Sequence, residues 1–108
     1  MVYTISDIRE RVAPVAEKYG IRAVYLFGSY ARNEAGDDSD IDLAVDTAGT
    51  SLKSLFALGA LYNDLESALG KPVDMVTISS LEQRPSMPSD VLFRENVERE
   101  RISIYAVA

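Results

Sequence analysis

The residues best suited to chemistry lie between positions 28 and 43. Gly28-Ser29 follows an apolar run, Val24-Tyr25-Leu26-Phe27, and ten residues separate Ser29 from Asp40 and its near neighbour Asp42. Leu43-Ala44-Val45 then begins a second apolar run. On a strand, residues i and i+2 share a face with Cα atoms roughly 6–7 Å apart. Asp40 and Asp42 would therefore stand together, with Ile41, Leu43 and Val45 facing the core. Aspartate is depleted in strands, and two carboxylates this close repel unless something positive lies between them. Two hard cations about 3.5–4 Å apart would fit. The competing reading is a solvated acidic loop, Asp37-Asp38-Ser39-Asp40 with Asp42, and spacing alone does not decide. Asp74, on the run Val73-Asp74-Met75-Val76, favours the metal. If that run pairs beside Asp40 to Val45, three carboxylates converge from adjacent strands. A strand-edge charge after Pro72 is the plainer account of Asp74 taken alone.

Gly28 sits where a strand turns into a possible helix, a place where glycine allows an unusual φ or close approach of a ligand. Ser29 would present its hydroxyl and neighbouring N–H groups to an anion at the helix start; as an ordinary N-cap it would do less. Arg32 could contact phosphate or pair with a nearby carboxylate. Phosphates on Gly28 and Ser29, with Mg²⁺ on the carboxylates, describe a nucleoside triphosphate site. The metals would neutralise the triphosphate, polarise the phosphoryl group and lower the pKa of an attacking hydroxyl.

Composition narrows the alternatives. The chain has no histidine and no cysteine, which excludes histidine triads, zinc–imidazole sites and thiolate metal centres. The net charge of −6 disfavours direct binding to nucleic acid. At 108 residues, one domain spanning 1–108 is expected, long enough for a real core. No apolar run is long enough to cross a membrane and no signal peptide pattern opens the chain, so the cytoplasm is the expected compartment.

The remaining segments read as scaffold. Thr4 and Asp7 are spaced as a capping box for a helix whose apolar face is Ile8, Val12, Val15, Ala16 and Tyr19, ending at Gly20. Pro14 predicts a kink or short break there. Strands are expected over Ala23–Phe27, Asp40–Val45 and Val73–Ile78, with one or two helical turns over Ser29–Glu34. Ser51 would cap a helix to Leu69 with Leu52, Leu55, Phe56, Tyr62, Leu65 and Leu69 on its apolar side. Gly59 within it would allow close packing on a strand. Ser79 to Ser89 is expected to be a loop, Ser89 or Asp90 to cap a last helix through Glu98, and Ile102–Tyr105 to add a strand.

The pattern Gly28-Ser29-x10-Asp40-x-Asp42 resembles the signature of the polymerase-beta-like nucleotidyltransferase superfamily. The fuller runs Phe27-Gly28-Ser29-Tyr30-Ala31-Arg32 and Ser39-Asp40-Ile41-Asp42-Leu43 are similar to its minimal nucleotidyltransferase branch. The resemblance implies a small α/β (α+β) fold, a mixed sheet of three to four strands flanked by helices. It implies two Mg²⁺ on Asp40 and Asp42, with Asp74 as third carboxylate and aid to deprotonation. Gly28 and Ser29 would hold the triphosphate of ATP, with Arg32 beside them, and AMP would pass to an acceptor hydroxyl with release of pyrophosphate. Short stand-alone members of this branch act as antitoxins, adenylylating a tyrosine of a HEPN-domain toxin, which implies a HEPN partner and a hetero-oligomer. Two alternatives stand beside this reading: an antitoxin that neutralises by binding alone, and a nucleotidyltransferase acting on a small molecule. The family usually has glycine where this chain has Asn33; asparagine tolerates the left-handed region better than most residues.

Overall fold

In the computed structural model, which describes residues 2–82 and 88–107, a four-stranded mixed sheet carries helices on both faces. The chain runs α1 (Ile5–Tyr19), β1 (Ala23–Phe27), α2 (Gly28–Ala31), β2 (Ile41–Asp46), α3 (Leu55–Leu69), β3 (Val73–Thr77), α4 (Ile78–Glu82), α5 (Pro88–Glu100) and β4 (Ile102–Ala106). The strand order is β3-β2-β1-β4. β1 pairs antiparallel with β2 and β4, while β2 pairs parallel with β3 through the α3 crossover.

Alternation along the strands separates two faces. Val24, Leu26, Ile41, Leu43, Val45, Val73 and Ile104 turn toward α1 and α3 and form the main core with Ile8, Val12, Leu61, Leu65 and Leu69. Ile41, Leu43 and Val45 are fully enclosed, as the alternating pattern predicts. The opposite face carries a smaller apolar cluster, Phe27, Ala44 and Val97, flanked by Tyr25, Val76, Ile78 and Leu81. Asp42 and Asp74 belong to this second face, so the sheet buries its apolar side and presents its carboxylates on the other.

The capping box of α1 forms in both directions. Asp7 N–H donates to Thr4 Oγ1 at 3.0 Å, and Thr4 N–H donates to Asp7 Oδ2 at 3.0 Å. The helix does not break at Pro14. Pro14 and Glu10 both lie on the exposed side, where water can satisfy the carbonyl that loses its N–H partner. Gly20 closes the helix in the left-handed region with φ 68°.

α3 departs from its predicted limits. It begins at Leu55 with Ser54 as cap, the hydroxyl accepting from Ala57 N–H at 3.1 Å. Thr50 delays the start: its hydroxyl donates to Thr47 O at 2.6 Å and accepts from Leu52 N–H at 3.1 Å. That turn tucks Leu52 into the core ahead of the helix. Leu55 and Phe56 consequently point to solvent, 88% and 93% exposed, and are not part of the packed face. Nothing lies within 4 Å of a Cβ placed on Gly59, so that glycine does not mediate close packing. At the other end Ile78 leaves β3 and opens α4, a short helix within the segment expected as a loop; Pro85 and Ser86 of that segment lie outside the described residues. α5 begins at Pro88, which places Ser89 and Asp90 inside the helix and not at its cap. Among the described residues no helix is long and apolar enough to cross a membrane.

Candidate active site

Strand pairing places the predicted carboxylates. In the β2–β3 register Asp42 lies opposite Asp74, and in the β1–β2 register it lies opposite Phe27, the residue before Gly28. Asp40 immediately precedes β2 and is exposed, as is Asp74; Asp42 is partly buried between them. The expected pairing of the two strands is therefore present, with β2 starting one residue later than predicted.

The proton affinity of Asp42 reflects this setting. Its pKa rises from 3.8 to about 6, first because burial penalises the charged form, then through the charges of Asp74 and Asp40, with Arg32 opposing. The same carboxylates reach Tyr62 on α3. Its hydroxyl pKa is raised, first by a hydrogen bond to Glu66 and further by Asp40 and Asp74. Among the described residues no three acidic side chains close into a finished ligand set.

Gly28 adopts φ +74°, a conformation natural to glycine. A Cβ there would overlap Asp42 Oδ2, so glycine is required both by backbone and by the carboxylate beside it. Ser29 follows at the start of α2 and lines the same groove. The turn after α2 is closed by Glu34 N–H donating to Ser29 O at 2.8 Å and Asn33 N–H to Tyr30 O at 3.3 Å. Asn33 occupies the left-handed region with φ 60°, which accounts for glycine being usual there in the resembling family.

Arg32 is engaged by acids. Its Nη1 donates to Glu100 Oε2 at 3.0 Å and its Nε lies 3.3 Å from Glu34 Oε1. Of its two predicted roles the ion pair is thus formed, at the wall of the groove.

That groove, about 370 Å³, is lined by Phe27, Gly28, Ser29, Arg32, Asp42, Asp74, Phe93, Asn96, Val97 and Glu100. Four of these come from α5 and were not among the predicted site residues. Their signal is periodicity: Phe93, Val97 and Glu100 fall on one helical face at i, i+4 and i+7, with an aromatic at one end and an acid at the other. Glu66 was missed as well. Its carboxylate accepts from Val73 N–H at 3.0 Å and from Tyr62 Oη at 2.8 Å, fixing the start of β3 next to Asp74. A larger hollow of about 560 Å³ at the far ends of β2 and β3, lined by Asp46, Lys53 and Thr77 among others, contains none of the predicted residues.

A strand, a glycine-serine turn and carboxylates on neighbouring parallel strands thus make up the candidate site. Residues 8–104 match the nucleotidyltransferase domain, and the chain belongs to that family of enzymes. It is 42% identical over 77 residues to a candidate protein adenylyltransferase of Methanocaldococcus jannaschii, covering 71% of this chain and 81% of the relative. Its fold is similar to a solved structure described as a candidate minimal nucleotidyltransferase, with TM-score 0.66 and 34% identity over 93% of this chain and 95% of the other. It is also similar to a chain of a toxin–antitoxin crystal structure with AMP-PNP, with TM-score 0.69 and 25% identity over 92% of this chain and 73% of that one.

Proposed function

We propose that this chain is a Mg²⁺-dependent protein adenylyltransferase that moves AMP from ATP to a hydroxyl, a tyrosine's, on a HEPN-domain partner, and so acts as its antitoxin. The observation that carries the reading is the juxtaposition of Asp42, Asp74 and Gly28. Two carboxylates face each other across adjacent strands, and a glycine without room for a side chain lies against one of them. ATP as donor accords with the AMP-PNP in the similar toxin–antitoxin structure. The partner follows from the resemblance to the minimal nucleotidyltransferase branch.

The residues suit a hard divalent cation. Asp40, Asp42 and Asp74 offer the oxygen donors that such a cation takes. Mg²⁺ bound there would offset the phosphate charge and sharpen the electrophilicity of the α-phosphorus. Gly28 and Ser29 hold the triphosphate through backbone N–H groups and a hydroxyl, close enough because Gly28 lacks a Cβ. Arg32 flanks the same anion. The acceptor oxygen bonds to the α-phosphorus as the bond to the bridging oxygen breaks, and pyrophosphate leaves with that oxygen. Asp74, the more exposed of the facing pair, takes the hydroxyl proton.

Incubation with the adjacent gene product and α-labelled ATP tests this. The partner should become labelled with Mg²⁺ present, and Asp40→Ala should abolish labelling while leaving the thermal transition intact. Absence of transfer between intact proteins would sink the enzymatic reading. Full neutralisation of the partner by an Asp40→Ala, Asp42→Ala double variant would replace it with inhibition by binding alone.

A further inference from the structure

We infer that Phe93 is the stacking platform for the nucleobase of the donor nucleotide; the inference rests on the triphosphate site proposed above. The groove is chemically two-ended. Glu100, paired with Arg32, marks one end. Ser29 and Gly28, the latter with Asp42 against it, line the same groove. Phe93 lines it as well, edge-on to Phe27 with ring centroids 6.0 Å apart and planes at 80°.

Phe93 and Glu100 are seven residues apart on one face of α5, roughly 10 Å along a helix axis. A nucleoside triphosphate has the same polarity: anionic phosphates at one end, an aromatic ring at the other. With the phosphates toward Arg32 and the α-phosphorus at Asp42, the base falls at Phe93. The ring is prepared for it. Phe27 is 6% exposed and anchors the pair, whereas Phe93 remains 44% exposed, an apolar surface left open inside a charged groove. Asn96, three residues on and on the same wall, has the amide type that pairs with a purine edge. The groove's volume of about 370 Å³ is at the low end for small-ligand pockets.

The chain contains no tryptophan, so Phe93→Trp gives a single fluorescent reporter at the site. With Mg²⁺, ATP should quench or shift its emission, while inorganic tripolyphosphate, which has no base, should not. In calorimetric titrations, Phe93→Ala should weaken ATP binding about tenfold, the scale of one lost stacking contact, and leave tripolyphosphate affinity unchanged. Equal losses for both ligands, or an unchanged ATP affinity, would overturn the assignment. So would ATP and tripolyphosphate giving the same tryptophan response. If wild type binds neither ligand in the presence of Mg²⁺, the triphosphate site itself fails, and the platform with it. If it binds both and only the Phe93 variants contradict expectation, the platform alone fails.

Discussion

Replacing Asp42 with asparagine should make the protein more stable and nearly inactive. The side chain keeps its size but loses its charge. In the folded protein the carboxyl titrates near 6 and not at 3.8, because burial and the charges of Asp74 and Asp40 penalise the ionised form. A carboxyl with a raised folded pKa destabilises the fold when ionised. Wild-type stability therefore falls as pH rises from 3.8 to about 6, and the whole cost is present above that window. The span between the two values corresponds to about 3 kcal/mol. Asp42 is only partly buried, so solvent screening reduces this to about 1–2 kcal/mol. For a domain of this size that is a rise of about 5–10 °C in melting temperature for Asp42→Asn at pH 7.5 without divalent ions. At pH 4 the two proteins should differ little. Adding Mg²⁺ should then raise the wild-type melting temperature by mass action and move the variant much less. AMP transfer should fall by more than the roughly 10–100-fold typical of losing an outer-shell partner. Circular dichroism melts from pH 4 to 8, with and without Mg²⁺, measure the stabilities, and the labelling assay measures transfer. A variant no more stable than wild type at pH 7.5, or one whose gain is the same at pH 4, would refute the electrostatic account of the site.

Gly28→Ala should abolish transfer and cost about 1–3 kcal/mol of stability, since a methyl there meets Asp42 Oδ2 and the backbone sits at positive φ; denaturant melts and the labelling assay check both. Glu66→Ala frees Val73 N–H and Tyr62 Oη, so transfer should drop several-fold, with a stability loss of about 1–2 kcal/mol for the unsatisfied groups. A purely structural role would leave the rate per folded molecule unchanged. Asn33→Gly should be neutral to stabilising by a few tenths of a kcal/mol, whereas a β-branched Asn33→Val should cost about 1–2 kcal/mol at φ 60°; urea midpoints distinguish the two.

The sequence pattern located β1 to its exact limits and the carboxylate strand to within one residue, because both are local. An apolar run stopped by glycine, and an alternation anchored by aspartates, need no tertiary information. The pairing of Asp42 with Asp74 was inferable only as a condition, since it depends on β2 and β3 being adjacent, which the α3 crossover decides. The start of α3 was misplaced because Thr50 outcompetes Ser51 for the turn, sending Leu52 inward and Leu55 and Phe56 outward. A helical wheel begun three residues early cannot show this. α5's share of the groove was hidden for another reason. Phe93, Asn96 and Glu100 read as an unremarkable mixed-polarity helix until folding lays that face against Gly28 and Arg32.

The two faces of the sheet explain how a small chain can hold a costly site. The α1–α3 face takes Leu26, Ile41, Leu43 and Val45 of the paired strands, all fully buried against Ile8, Val12, Leu61 and Leu65. Among the described residues the buried cluster of the carboxylate face is smaller, Phe27, Ala44 and Val97. Charge repulsion at Asp42 is thus borne by strands whose other side is already secured, and each residue of β2 alternates between the two duties. A substitution on the even-numbered side, at Asp42, changes chemistry and can raise stability. One on the odd-numbered side, such as Leu43→Ala, should lose about 2–5 kcal/mol without touching a ligand. Stability and function are therefore separable between neighbouring residues of one strand, Leu43 and Asp42.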